Sequence, residues 1–281
     1  MPVDVDAEVI SNTRLSDEYN VLAFAAPEIA RLTQPGQFMM VKPSRGFEPL
    51  LRRPFSVFEI LRDARGTPIG VTLLNKRIGV GTGQLYALAA GDRIPVLGPL
   101  GRPFTPAAAG SHAWLVAGGV GLAPFATMAE ALVARGVPTT LFYGARRAAD
   151  LYYADWFRAR GVTVVTATED GSAGDRGFIT VPLGRALEER TAANRHADAD
   201  THAISIYACG PTPMMRAVSD LAARHGEDVE VSLEQTMGCG LGGCYSCVVR
   251  VREDGKMPHF VRSCLAGPVF RGRDLVWEEL H

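Results

Sequence analysis

Four cysteines near the carboxy terminus carry the most specific chemistry in the chain. Cys239, Cys244 and Cys247 lie within Cys239-Gly-Leu-Gly-Gly-Cys244-Tyr-Ser-Cys247, and Cys264 follows after sixteen intervening residues. Cys-x4-Cys-x2-Cys with a later fourth cysteine is the plant-type spacing for thiolates around a [2Fe–2S] cluster. A loop wrapped on a cluster must turn tightly and aim backbone N–H groups at sulfur. Gly240, Gly242 and Gly243 suit that task, because glycine takes positive φ and permits close backbone approach. Structural zinc sites join two short Cys-x2-Cys clips, whereas here one clip is flanked by single cysteines. Zinc and a disulfide remain the competing readings of these residues.

Three further motifs could hold a dinucleotide. In Arg53-Pro54-Phe55-Ser56 the proline extends the backbone, so Arg53 and Phe55 share a face: a guanidinium fork for a diphosphate beside a ring for stacking. Ser56 adds a small hydrogen-bonding group, and a plain surface arginine is the alternative. Gly79-Val80-Gly81-Thr82-Gly83 leads into a helical pattern over Gln84–Ala90, with Thr82 expected as N-cap. Free N–H groups at such a helix start form an anion site; the alternative is an ordinary glycine turn. Gly118-Gly119-Val120-Gly121-Leu122-Ala123-Pro124 follows an apolar strand and opens a helix, as pyrophosphate loops do. It departs from Gly-x-Gly-x-x-Gly because Pro124 occupies the third glycine position. The acidic residue expected about 20 residues later is also missing, since the next strand ends in Gly144-Ala145-Arg146-Arg147. This is a nucleotide loop of another lineage or a packing turn. Cys209-Gly210-Pro211 ends a later strand, where Cys209 faces a nicotinamide or simply fills space.

These motifs need two kinds of scaffold. From Val3 to about Phe104, short β-like runs (Ala7–Ile10, Tyr19–Ala25, Phe38–Lys42, Ser56–Leu61, Gly70–Asn75, Asp92–Leu97) alternate with Gly/Pro turns, predicting a small antiparallel barrel. From Ser111 the period changes. Strands Ala113–Ala117, Thr139–Tyr143, Val162–Ala167, Ala203–Ala208 and Val229–Leu233 alternate with helical stretches over Phe125–Arg135, Asp150–Arg160, Val181–Arg190 and Thr212–His225. That alternation predicts a parallel sheet with helices on both faces. The polar run Thr191–His202 reads as a surface loop. The fold class is therefore multidomain α+β: a barrel over 1–106, an α/β nucleotide-binding domain over 107–228 and a small cysteine domain over 229–281.

With 281 residues, 47% of them hydrophobic and 21% charged, the chain can bury several cores. A formal net charge of −1 offers no basic footprint for nucleic acid. No apolar run reaches the roughly 18 residues of a membrane span, and the amino terminus lacks a signal core. The cysteine usage fits the reducing cytoplasm.

In order, Arg-Pro-Phe-Ser, Gly-x-Gly-Thr, Gly-Gly-Val-Gly-Leu-Ala-Pro, Cys-Gly-Pro and the cysteine pattern resemble the ferredoxin reductase superfamily over nearly the whole chain. The carboxy-terminal cysteines narrow the resemblance to the electron transfer subunits of NAD-dependent dihydroorotate dehydrogenases. That resemblance implies FAD held by Arg53, Pro54, Phe55, Ser56, Leu74, Asn75, Lys76, Gly81 and Thr82. It implies a [2Fe–2S] cluster on Cys239, Cys244, Cys247 and Cys264. NAD would dock over Gly118, Gly119, Val120 and Gly121 and near Cys209, Gly210 and Pro211. It further implies an FMN-containing catalytic subunit as partner in a heterotetramer, an oxidoreductase role in pyrimidine biosynthesis, and no general base. Two departures stand out: Ala266 precedes Gly267-Pro268-Val269-Phe270 where an aspartate is common, and the Cys247–Cys264 interval is long. They keep open a reductase serving an oxygenase, sulfite reductase or hydrogenase; a zinc-stapled nucleotide-binding scaffold is the non-enzymatic alternative.

Overall fold

The computed structural model describes residues 1–108, 110–196, 203–252 and 255–280. Two compact units account for them: 1–103 with 235–249 and 260–269, and 104–234 with 250–259 and 270–281.

In the first unit β1 (Val3–Arg14), β2 (Tyr19–Ala25), β3 (Phe38–Val41), β4 (Arg53–Ser56), β5 (Ile60–Arg62), β6 (Pro68–Lys76) and β7 (Arg93–Leu100) form one antiparallel sheet, in the order β4-β3-β7-β1-β2-β6-β5. Helix α1 (Pro27–Leu32) lies between β2 and β3 in the chain, and α2 (Val80–Ala87) between β6 and β7. The sheet curls until the segment after β4 meets β6, with Phe58 donating its N–H to Thr72 O at 2.9 Å and Thr72 donating back to Glu59 O at 3.0 Å. Its inner face buries Leu22, Phe24, Met39, Val41, Leu73 and Val96 around Ile29 of α1. Each such side chain contributes about 1.5–3 kcal/mol by leaving water. Gly70 is required where β6 crosses β2, because a Cβ there would lie 2.1 Å from Phe24 O.

The opposite end of this sheet is fastened by amides. Asn20 donates to Asn12 Oδ1 at 2.7 Å, Asn75 donates to Asn20 Oδ1 at 2.7 Å and to Thr82 O at 3.0 Å, and Asn12 donates to Tyr86 O and Leu88 O. The ladder runs across β1, β2 and β6 and ties all three to α2.

The second unit contains β8 (His112–Gly118), α3 (Ala123–Ala134), β9 (Thr139–Ala145), α4 (Ala154–Arg158), β10 (Thr163–Thr168), β11 (Asp175–Arg176), α5 (Thr180–His196), β12 (Ile204–Cys209), α6 (Thr212–Arg224) and β13 (Val229–Ser232). The sheet order is β11-β10-β9-β8-β12-β13, continued by β16 (Val269–Arg271), and the pairings from β11 to β13 are parallel. The strand order reverses between β8 and β12, and the carboxyl edge at such a point is where ligands dock in open α/β sheets. Between β13 and β16 lie β14 (Val248–Val251) and β15 (His259–Arg262), which pair with each other, and the short helix α7 (Ser263–Ala266).

Three expectations are corrected. Asp150–Arg160 is not one helix: a 3-10 turn over Ala148–Asp150 and the short α4 replace it, with Tyr153 between them at φ 61°. Thr191–His196 belongs to α5 rather than to a loop, and 197–202 lie outside the described residues. The helix after Gly79 starts at Val80, four residues before the expected Gln84.

Asn20→Ala removes the donor to half-buried Asn12 Oδ1 and the acceptor of one amide proton of buried Asn75, so we expect a loss of about 1–3 kcal/mol in chemical unfolding followed by far-UV circular dichroism. A loss within about 0.5 kcal/mol, the range of an ordinary surface substitution, would show the ladder to be incidental.

Candidate cofactor sites

The cysteine loop is shaped by its glycines. Gly240 (φ 72°) and Gly242 (φ 81°) adopt left-handed conformations, and a Cβ on Gly240 would lie 2.5 Å from Met40 Cγ. The turns aim N–H groups at sulfur: Leu241 and Gly243 donate to Cys239 Sγ at 3.3 and 3.2 Å, and Cys264 donates to Cys247 Sγ at 3.4 Å. Cys239 lies close enough to act on the Cys244 thiol, and Cys247 and, more weakly, Cys239 act on Cys264. Hydrogen bonds from the Ser246 hydroxyl and N–H, with Cys239 adding to them, hold the Cys244 thiol down to about 6. Burial first, and then Cys247, pushes Cys264 up to about 12.

Among the described residues no three His, Cys, Asp or Glu side chains are grouped to hold one metal ion. Four thiols with convergent N–H donors fit a two-iron cluster, in which each iron takes two thiolates. They fit a single tetrahedral ion taking all four less well. Cys247 and Cys264 are buried in one apolar cluster with Phe38, Met40, Leu97, Leu100 and Met237. Phe38 and Met40 stand on β3, opposite Ser56 and Pro54 of β4. A single strand therefore separates the thiols from the Arg53–Ser56 ledge.

On that ledge, Arg53 donates to Leu51 O and Arg52 O at 3.0 and 3.2 Å, and its guanidinium reaches the start of α2, where a Cβ on Gly81 would lie 3.6 Å from Nε. Phe55 packs partly against the barrel core. Pro43 and Pro49 approach the same position, their Cγ atoms 3.3 and 3.5 Å from a Cβ on Gly81. Thr82 is not the N-cap. Gly79 holds that position, and Thr82 is the third helical residue, its hydroxyl accepting from Ile78 and Gly79 N–H at 2.9 and 3.0 Å. The first intrahelical bond is Gly83 N–H to Gly79 O, leaving the N–H groups of Val80, Gly81 and Thr82 available to an anion. Leu74 and Asn75 are buried, and Lys76 lies over the Tyr19 ring. Asn75 spends both amide protons in the ladder while its buried Oδ1 has no partner. An orphaned acceptor beside a free helix start is the mark of a polar ligand with donors of its own. A flavin dinucleotide, with ribityl hydroxyls and a diphosphate, fits both.

In the second unit the two sequence motifs meet. Gly118 closes β8, Gly119 and Val120 continue into a 3-10 turn, and Gly121 packs where a Cβ would lie 2.2 Å from Cys209 O. A Cβ on Gly210 (φ 152°) would lie 3.0 Å from Gly118 N, and one on Gly118 would lie 3.0 Å from Pro211 Cδ. Ala117 and Cys209 are register partners on the adjacent β8 and β12. Burial raises the Cys209 thiol well above its ordinary value, so this residue offers a small neutral surface rather than a nucleophile.

Sequence reasoning missed Ser246, the Asn12–Asn20 ladder and the prolines around Gly81. Only Ser246, inside the cysteine loop, carried a local signal.

The site and fold are those of an NAD-linked oxidoreductase bearing an iron–sulfur module. Residues 115–220 match the oxidoreductase NAD-binding domain, and 234–276 match the iron–sulfur cluster binding domain of dihydroorotate dehydrogenase B. The fold is shared with a structure of the NADH-dependent reduced ferredoxin-NADP oxidoreductase studied for flavin-based electron bifurcation. That likeness has a TM-score of 0.79 at 28% identity and covers 98% of this chain and 91% of that one. A dihydroorotate dehydrogenase B (NAD(+)) electron transfer subunit from Desulforamulus reducens is 38% identical over 97% of this chain and 98% of its own. One from Bacillus caldolyticus is 36% identical over 95% and 96%. The chain belongs to the family of dihydroorotate dehydrogenase B electron transfer subunits.

Gly121→Ala should abolish NADH oxidation while leaving bound flavin in place, because the added methyl collides with Cys209 O in the second unit only; activity measured with ferricyanide as acceptor checks this. In the metal-free chain, iodoacetamide at pH 7 should alkylate Cys244 ahead of Cys264. The Cys244 rate should fall as pH drops below about 6, where that thiolate is protonated. Peptide mapping of the alkylated protein reads both.

Proposed function

We propose that this chain is the electron transfer subunit of an NAD-dependent dihydroorotate dehydrogenase. It passes electrons taken from dihydroorotate by the FMN of a separate catalytic subunit to NAD+, as a step in pyrimidine biosynthesis. The observation that carries the reading is the position of the cluster thiols, one strand from the ledge that would hold FAD.

Bound in these sites, a [2Fe–2S] cluster, a flavin and a nicotinamide supply single-electron, bridging and hydride chemistry respectively. The chain's own residues do the rest. Cys239, Cys244, Cys247 and Cys264 would hold the irons, and the N–H groups of Leu241, Gly243 and Cys264 would stabilise negative charge on sulfur. The Arg53 fork and the N–H groups of Val80, Gly81 and Thr82 would take the FAD diphosphate. Pro54, Phe55 and Ser56, with Leu74, Asn75 and Lys76, would hold the rest of the flavin. Gly118, Gly119, Val120 and Gly121 cradle the NAD pyrophosphate, and Cys209, Gly210 and Pro211 bound the nicotinamide end. Nothing in this scheme requires a general acid or base.

The partner surface follows from exposure. Cys244 is exposed, and around the cysteine loop Leu241, Tyr245, Phe260 and Leu265 present apolar surface to solvent, as does Met257 further along the chain. Apolar residues rimming a redox group are what a docking redox protein needs. The FMN-bearing subunit is the occupant this reading assigns, in a heterotetramer. No helix among the described residues is long and apolar enough to cross a membrane. Thiols kept free for a cluster fit the cytoplasm.

Reconstitution tests the reading. Purified holoprotein mixed with the dihydroorotate-oxidising subunit should reduce NAD+ when dihydroorotate is added, and neither subunit alone should do so. NADH oxidation that couples to an oxygenase, sulfite reductase or hydrogenase and never to dihydroorotate would refute it. Tyr245→Asp, which places a charge in the rim, should lower the coupled rate about tenfold or more and leave NADH–ferricyanide activity unchanged.

A further inference from the structure

The peptide between Gly242 and Gly243 has a partner at each end. Its N–H donates to Cys239 Sγ at 3.2 Å, and its C=O accepts from Arg262 Nη1 at 2.7 Å. The bond is trans, so the two groups point opposite ways and one amide dipole lies between guanidinium and sulfur. A cation on the oxygen draws electron density along the amide and leaves its proton more positive. That strengthens the hydrogen bond to sulfur, as members of a hydrogen-bonded chain polarise one another.

The fold places Arg262 for this contact. It ends β15, immediately before α7 carries Cys264, so the segment that delivers one thiol also delivers the guanidinium. Facing it, Gly242 sits at φ 81°, where a Cβ would lie 2.5 Å from Leu265 Cδ1 and 3.5 Å from Arg262 Nη1. Any side chain at 242 would push the loop off both residues.

A ring braces the same guanidinium. Tyr245 stands at φ 59°, a backbone conformation that residues other than glycine rarely adopt, and its ring centroid is 4.9 Å from Arg262 Cζ. Arg262 is half-buried, and among the described residues it forms no ion pair. Its charge is therefore directed at one carbonyl and one ring, with no carboxylate to offset it. A structural clamp would need only a neutral donor at this place. A full positive charge favours whatever adds negative charge to the loop, and hydrogen bonds to sulfur and local charge both set the potential of an iron–sulfur group.

We infer that Arg262 is a positioning residue that raises the reduction potential of the cluster, acting on Cys239 Sγ through the Gly242–Gly243 peptide. The inference rests on the proposed cluster site and deepens it, because a residue outside the cysteine pattern then sets how readily that site takes an electron.

Two variants separate charge from clamp. Arg262→Gln keeps a neutral donor for Gly242 O, and Arg262→Lys keeps a charged one. Redox titration of the anaerobically purified holoprotein, followed by electron paramagnetic resonance, should show the glutamine variant about tenfold harder to reduce, a shift of about 59 mV to the negative. The lysine variant should recover most of that shift. Electron–nuclear double resonance in deuterated buffer should show a weaker exchangeable-proton coupling to the reduced cluster in the glutamine variant. A wild-type potential in the glutamine variant, an equal shift in both variants, or an unchanged proton coupling would overturn the inference and leave the proposed function standing. Loss of the cluster from both variants, with iron and sulfide retained by the wild type, would make Arg262 a clamp and overturn it as well. A wild-type chain that holds no iron and sulfide would overturn the cluster site itself.

Discussion

The structure depends on the seating of the cysteine loop against the barrel. Met40 and Leu100 occupy the space that a side chain on Gly240 would need, and Cys247 and Cys264 are buried with Phe38, Met40 and Leu97. Two of the proposed cluster ligands are therefore core residues of the first unit, although more than 130 residues separate them from Leu100 in sequence. Packing of this density leaves little room for the loop to shift without opening a cavity. Electron transfer needs a short, constant spacing between redox groups, and a rigid core supplies it.

Each unit thus carries a different demand. The curled sheet must present the Arg53–Ser56 ledge, the free N–H groups of α2 and the cysteine loop on one body, and the amide ladder through Asn12, Asn20 and Asn75 fixes α2 to the strands. On the proposed reading, the parallel sheet holds a diphosphate at its reversal point. It does so by packing Gly121 onto the Cys209 carbonyl, closer than any side chain would allow. The first device is a set of hydrogen bonds and the second is steric.

Local chemistry was legible in the sequence and long-range packing was not. The cysteine spacing names its metal group because the ligands are close in the chain, and alternating strands and helices announce the parallel sheet because period is local. The role of Thr82 was misplaced by three positions, since glycine caps a helix as readily as threonine and Thr82 fits either site. Asn75 reads as a ligand residue, yet one of its amide protons goes to Asn20, a partner 55 residues away that no pattern reveals, and the other to Thr82 O.

The central claim is that four thiols hold two irons inside the flavin unit. Iron, zinc and acid-labile sulfide analysis of anaerobically purified chain, with electron paramagnetic resonance after one-electron reduction, tests it most directly. The account predicts about two irons and two sulfides per chain and one signal from a coupled iron pair. Stoichiometric zinc, or a single iron without sulfide, would contradict it.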